Sequence, residues 1–188
     1  NAVTIADLGA AGASDPALVV DKASGKIICL FATDKGLFGS TPTDPIRIRM
    51  CTSMDHGLTW SAPVDLTDQL YGAGCSNPVT KNWYAAWVAS GAAHQLRNGR
   101  IVAAVGVRQT SANQIDNFMI YSDDAGVTWQ PSTGIAEQSG DEAKIVELNN
   151  GNLLMSIRNP GVRRMNTSTD KGLTWGTAYN QTDLIEPN

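Results

Sequence analysis

The residues best suited to chemistry are Glu142 and Arg158, which stand either side of the turn signal Asn149-Asn150-Gly151. Glu142 lies eight residues before Asn150 and Arg158 eight after it. A hairpin with a three-residue loop makes them cross-strand partners at the open end of the two strands. A carboxylate there can act as a general base, and a guanidinium as a fixed fork for an anion. The spacing alone equally fits a solvated cross-strand ion pair, which contributes little to stability.

Three aspartates form a second set: Asp55, Asp124 and Asp170 each occupy the third position of Ser-x-Asp-x-Gly-x-Thr-Trp, at Ser53–Trp60, Ser122–Trp129 and Ser168–Trp175. Recurrence at equivalent turns reads more simply as a fold-stabilising device than as catalysis or calcium ligation. The Asp side chain can accept bonds from turn amides, and the Gly can take φ > 0. Cys29, Cys51 and Cys75 are an odd set without paired close spacing. They fit either one disulfide or three buried thiols. His56 falls at a variable position of the first repeat and His94 has no sequence partner, so both are read as non-catalytic. No metal or cofactor is expected.

The elements that must position these groups come from the repeat. Each copy follows a strand-like stretch, as at Ile46–Met50 and Phe118–Tyr121, so strand, Asp-x-Gly and Thr-Trp together read as a hairpin. A weaker repeat precedes each one. Ala17–Asp21 turns through Gly25 into Lys26–Phe31, Gln95-Leu96 turns through Asn98-Gly99 into Arg100–Val105, and Lys144–Leu148 turns into Asn152–Ile157. Two hairpins make four strands, and three such units fit at about 15–65, 94–131 and 142–178. The segment 66–93, with Trp83, Tyr84 and Trp87, is expected to be a long aromatic loop. Strands apolar on consecutive positions, as at Leu153-Leu154-Met155, call for a sheet covered on both faces. The fold class is therefore all-β, a β-propeller. Propellers have about four to eight blades, so three units read as part of one. A partial propeller exposes an apolar sheet face at each end, and the isolated segment is expected to aggregate or be molten.

Composition agrees. Gly, Thr, Ser and Asn make up almost a third of the 188 residues, a vocabulary of turns and short strands, and only 17% of positions are charged. The net charge of −4 leaves no electrostatic footprint for nucleic acid or anionic membranes. No apolar run approaches the ~20 residues of a membrane-spanning helix. Asn1 stands where a start methionine would, without a signal segment before it, which suggests processing or an internal segment.

The triple repeat resembles the Asp-box of bacterial sialidases (neuraminidases, glycoside hydrolase family thirty-three), whose fold is a six-bladed propeller. Three further stretches resemble that family in order along the chain: Asp15–Asp21 followed by Gly25, Trp87–Gly91 followed by His94-Gln95-Leu96, and Gly140–Leu148 leading to Ser156-Ile157-Arg158. The resemblance implies that Glu142 partners a catalytic tyrosine and that Arg158 belongs to an arginine triad gripping the sialic acid carboxylate. It further places Gln95 near the sugar's glycerol side chain, and Phe38, within Gly36–Gly39, in a wall of the pocket. The chemistry is consistent: sialic acid carries a carboxylate on its anomeric carbon that would repel an Asp or Glu nucleophile, so these enzymes use Tyr. A phenol with a pKa near 10 then needs an adjacent base.

None of Tyr71, Tyr84, Tyr121 or Tyr179 occupies the family's nucleophile position, and its Arg-Ile-Pro motif, acid/base aspartate and third arginine are not in this sequence. The resemblance thus implies an internal segment of an exo-α-sialidase, inactive alone, completed by further blades, with a sialylated glycan as substrate and a secreted, periplasmic or cell-surface location. The competing reading is a non-catalytic Asp-box propeller that binds carbohydrate or protein. Another hydrolase on the same scaffold would explain the repeats but not the Glu142–Arg158 interval.

Overall fold

A computed structural model of the chain describes residues 2–89 and 91–186. Ser90 of the Trp87–Gly91 stretch lies outside the described residues, as do Asn1, Pro187 and Asn188. The described residues form three sheets whose strands are antiparallel apart from one short pairing. The first holds β1 (Ser14–Val20), β2 (Ile27–Thr33), β3 (Arg47–Ser53) and β4 (Val64–Asp65), in that order across the sheet. The second is built from β5 (Ala85–Val88), β7 (His94–Gln95), β8 (Ile101–Arg108), β9 (Asp116–Ser122) and β10 (Gln130–Pro131). Between β5 and β7, β6 (Gly91–Ala92) leaves the second sheet and pairs in parallel with β1. The third sheet is β11 (Ala143–Glu147), β12 (Leu153–Ile157), β13 (Gly161–Ser168) and β14 (Tyr179–Glu186).

Two differences from the sequence reading concern boundaries. The stretch 66–93 carries the short helix α1 (Thr67–Leu70) and β5, the inner strand of the second sheet, instead of one loop. Ala85–Val88 escaped notice because the strand is four residues long and its partner β8 lies beyond two more short strands. The third sheet's last strand, β14, falls past residue 178, after a longer link from the third repeat.

The middle sheet is covered on both faces. On one side Ala17, Ile28, Leu30, Ile48 and Met50 of the first sheet share a core with Ala103, Val105, Phe118 and Ile120. On the other, Val102, Ala104 and Met119 pack with Ala143, Ile145, Leu153, Met155 and Ile157 of the third. All eight residues of β8 are buried, which is why that strand reads as an unbroken apolar run. Cys29 and Cys51 face each other across β2 and β3, and with Cys75 they are buried free thiols. Burial raises the Cys29 thiol to about 11.

The three repeats fold alike. In each, the Ser Oγ–H donates to the Asp Oδ1 at 2.8 Å. The Thr hydroxyl donates to Oδ2 at 2.6, 2.6 and 2.5 Å. The Gly N–H donates to the Ser oxygen. The Gly and the residue before it, His56, Ala125 or Lys171, both take positive φ. In the second and third copies this glycine also meets the preceding sheet. A Cβ on Gly126 would stand 2.7 Å from Ile28 Cδ1, and one on Gly172 2.3 Å from Met119 Sδ. These turns therefore close a hairpin and dock one sheet on the next.

Candidate active site

The site's geometry starts from strand register. Ala143 pairs with Ile157, and the Arg158 N–H donates to the Glu142 carbonyl at 2.8 Å, so Glu142 and Arg158 are opposed at the open end of the β11–β12 hairpin. Their side chains meet: Arg158 Nη1 lies 3.3 Å from Glu142 Oε2 and 3.3 Å from Asp141 Oδ2. All three side chains are roughly 40–50% exposed, so the pairing itself adds little stability. Among the described residues the side-chain bonds of Arg158 go through Nη1 alone, which leaves Nε and Nη2 as donors for a ligand.

The three charged residues line one side of a cavity of about 280 Å³, near the lower end of ligand-pocket sizes. Its floor comes from the first sheet. β1 has an irregular register between Ser14 and Ala17, and Asp15 there takes φ 52°, which brings Asp15 to the cavity. Asp15 Oδ2 accepts the Ser14 hydroxyl at 2.9 Å. The lining is completed by Lys35, Gly36 and Leu37, on the link between β2 and β3, with Ile46 and Trp87 of β5. It is thus mixed, with apolar Leu37, Ile46 and Trp87 beside the charged Asp15, Lys35, Asp141, Glu142 and Arg158. Such a lining can hold a polar ligand that carries an apolar substituent.

Trp87 fits against the neighbouring strand because its β8 partner is Gly106. A Cβ at Gly106 would fall 2.1 Å from the indole Cη2, so only the bare glycine leaves room for the ring.

The remaining expected residues lie outside the lining of this cavity. Gln95 sits at the opposite end of the inner strand, where β7 meets the 98–99 turn. It is buried, and its Nε2 donates to Asp21 Oδ1 at 2.7 Å and to the Gly99 carbonyl at 3.1 Å, while its Oε1 accepts the Lys22 N–H at 2.7 Å. Both its amide N–H groups are taken, and the bonds to Asp21 and Lys22 tie the first sheet to the second. Phe38 is 60% exposed with the Arg108 guanidinium 5.7 Å from its ring centroid, and its neighbour Leu37 is the residue that lines the cavity. Asp55, Asp124 and Asp170 lie past the other ends of the strands, about 20 Å from the cavity at 3.3 Å per residue. Their carboxylates are occupied by their own turns.

His94 borders a separate hollow with Lys22 and Gln95, and burial lowers its pKa. No tyrosine lines the cavity among the described residues. The Tyr71 phenol is pushed up by burial and its hydroxyl donates to the Ile46 carbonyl. No cluster of metal-ligating side chains occurs among the described residues, and no helix of the described residues is long and apolar enough to cross a membrane.

Sequence reasoning missed Asp15, Asp141 and Leu37 as cavity residues and left Trp87 without a role. Asp15-Pro16 at a strand start was a readable signal, since Pro is confined to strand starts, edges and bulges. The positive φ that turns Asp15 to the cavity has no such signature.

Comparison with known proteins places this architecture. The BNR repeat-like domain matches residues 4–188. A sialidase of Paraclostridium sordellii is 35% identical over 132 residues, covering 68% of this chain and 32% of that protein. One of Clostridium perfringens is 33% identical over 140 residues, covering 72% and 36%. Among solved structures, a Hadza microbial sialidase superposes with a TM-score of 0.81 at 27% identity, over 94% of this chain and 35% of that one. The chain spans about a third of the length of each. With three sheets of a six-bladed sialidase-type propeller and an Asp-box in each, this chain belongs to the BNR-repeat family of sialidase-like proteins.

Proposed function

We propose that the protein to which this chain belongs is an exo-α-sialidase, releasing terminal sialic acid from glycoconjugates with retention by way of a tyrosine nucleophile. The observation that carries the reading is the meeting of Glu142 and Arg158, 3.3 Å apart, in the lining of a cavity they share with Leu37 and Trp87. Arg158 offers Nε and Nη2 to the substrate carboxylate. Guanidinium suits that task because its planar fork makes paired, charge-assisted bonds and it keeps its charge at any working pH. Glu142 is within reach of the same anomeric region and draws the proton from the attacking phenol, which is too weak an acid to ionise unaided. Asp141 holds Arg158 through the same Nη1, so the guanidinium is oriented before substrate arrives. Asp15 accepts a hydrogen bond from a ring hydroxyl, and the Leu37–Trp87 wall takes the uncharged substituent.

In this reading the nucleophilic tyrosine, the acid/base aspartate and the other two arginines come from further blades, and this chain alone is inactive. The substrate is a sialylated glycan outside the cytoplasm, which fits an exported protein.

The test uses the complete parent protein and a fluorogenic sialoside. Glu142→Ala should lower kcat by about 100-fold or more, and Arg158→Ala should lower kcat/KM by about 100-fold. Near-normal turnover by both variants removes the assignment. Binding of sialosides without turnover by the wild type points instead to a carbohydrate-binding propeller.

A further inference from the structure

Arg108 ends β8 and is 3% exposed, yet among the described residues it forms no ion pair. A buried cation without a carboxylate is costly unless every donor is placed, and here the donors are placed on three carbonyls. Nη1 donates to Leu37 at 2.6 Å, Nε to Ala112 at 3.1 Å and Nη2 to Ser111 at 3.2 Å. The guanidinium carbon also lies 5.7 and 5.9 Å from the ring centroids of Phe38 and Tyr84. An apolar side chain of similar volume would often serve stability as well or better. The bonds show what the charge does instead. Arg108 is the β-partner of Ala85 on the strand that carries Trp87, and its shortest bond reaches 71 residues back to Leu37. It therefore ties Leu37 to the strand that carries Trp87, two apolar residues of the cavity lining. The Ser40 hydroxyl, donating to the Tyr84 carbonyl at 2.5 Å, fastens the same loop farther along.

We propose that Arg108 is a positioning residue that fixes the width of the slot between Leu37 and Trp87, and that this slot sets which N-acyl group of the sugar is accepted. The inference rests on reading the cavity as a sialic acid site. It adds a residue that touches no substrate. An apolar slot of set width takes an acyl methyl, whereas a hydroxymethyl buries a hydroxyl without a partner.

The test is kinetic, on the parent protein, with two aryl sialosides that share a leaving group and differ only as N-acetyl and N-glycolyl. Arg108→Lys and Arg108→Met should each raise KM for the N-acetyl substrate about tenfold, leave kcat little changed, and draw the kcat/KM ratio of the two substrates towards one. Lysine should not rescue, because one ammonium cannot reproduce the fork to three carbonyls. A purely structural role would lower the amount of active enzyme while KM and the ratio stay as in wild type, and that result overturns the proposal. Leu37→Ala keeps the backbone carbonyl that Arg108 holds, and must lower the same ratio. An unchanged ratio there overturns the slot even if an Arg108 variant does not fold. A wild-type protein that turns over neither sialoside removes the site reading and this inference with it, whereas wild-type turnover with unaltered selectivity in the variants removes this inference alone.

Discussion

Gly106→Ala tests how the apolar wall of the cavity is held. Gly106 and Trp87 are directly paired across β8 and β5, and the added Cβ would lie 2.1, 2.2 and 2.7 Å from three indole carbons. Carbon atoms in contact prefer about 3.5–4.0 Å, so the ring must move by more than 1 Å (~) or the strands must part. Neither is easy, because Trp87 is 7% exposed and the strand it packs on is buried throughout. Overpacking of this kind costs about 1–3 kcal/mol. For a domain of this size that lowers Tm by about 3–10 °C. The indole lines the cavity, so its displacement changes the cavity's shape and substrate affinity should fall with stability. Thermal melts followed by tryptophan fluorescence, and KM for a sialoside measured on the parent protein, read the two effects separately. A Gly106→Ala protein with unchanged Tm and unchanged KM would show that the indole does not lie across Gly106, and the account of the wall would fail.

Gln95→Ala removes three hydrogen bonds at the junction of the first two sheets and strands the Lys22 N–H, so it should cost about 2–3 kcal/mol in a denaturant titration. Because Gln95 lies at the far end of the strand, kcat and KM should stay as in wild type, and a raised KM would restore it to the substrate. Acid sensitivity should trace to the Asp-boxes. Bonds from Thr59, then from Ser53, hold the Asp55 carboxyl down to about 2. Burial pushes the Asp124 carboxyl up, but bonds from Thr128 and Ser122 outweigh it and leave that group at about 2 as well. Groups depressed in this way contribute stability that is complete above the unfolded value near 4 and lost as pH falls from about 4 to about 2. Tm should therefore drop over that window in the wild type and less steeply in Asp124→Asn. Equal slopes would contradict the assignment.

The fold was legible where chemistry repeats. Ser-x-Asp-x-Gly-x-Thr-Trp needs a hydroxyl, a carboxylate and a positive-φ pair at fixed spacing, so the turn is written locally and appears three times. The meeting of Glu142 and Arg158 was legible for a similar reason, since a three-residue turn fixes register along a whole hairpin. What escaped depends on other strands. Gln95 reads as an ordinary polar residue beginning a strand, and only the approach of Asp21 and Lys22 across 73–74 residues shows that it fastens two sheets. Phe38 is singled out by the resemblance of Gly36–Gly39 to a pocket wall, and within that segment it is Leu37 that lines the cavity while Phe38 is exposed. Arg108 reads as the polar end of an apolar strand, and nothing local tells that its partners are carbonyls of two loops.

The central claim is that Arg158 and Glu142 border the seat of an anionic sugar. A crystal structure of the parent protein with sialic acid bound tests it most directly. The account predicts the sugar carboxylate on Arg158 Nε and Nη2, the acyl group between Leu37 and Trp87, and Glu142 beside a tyrosine from another blade. A sugar seated elsewhere, with the Arg158–Glu142 pair in contact only with solvent, would contradict it.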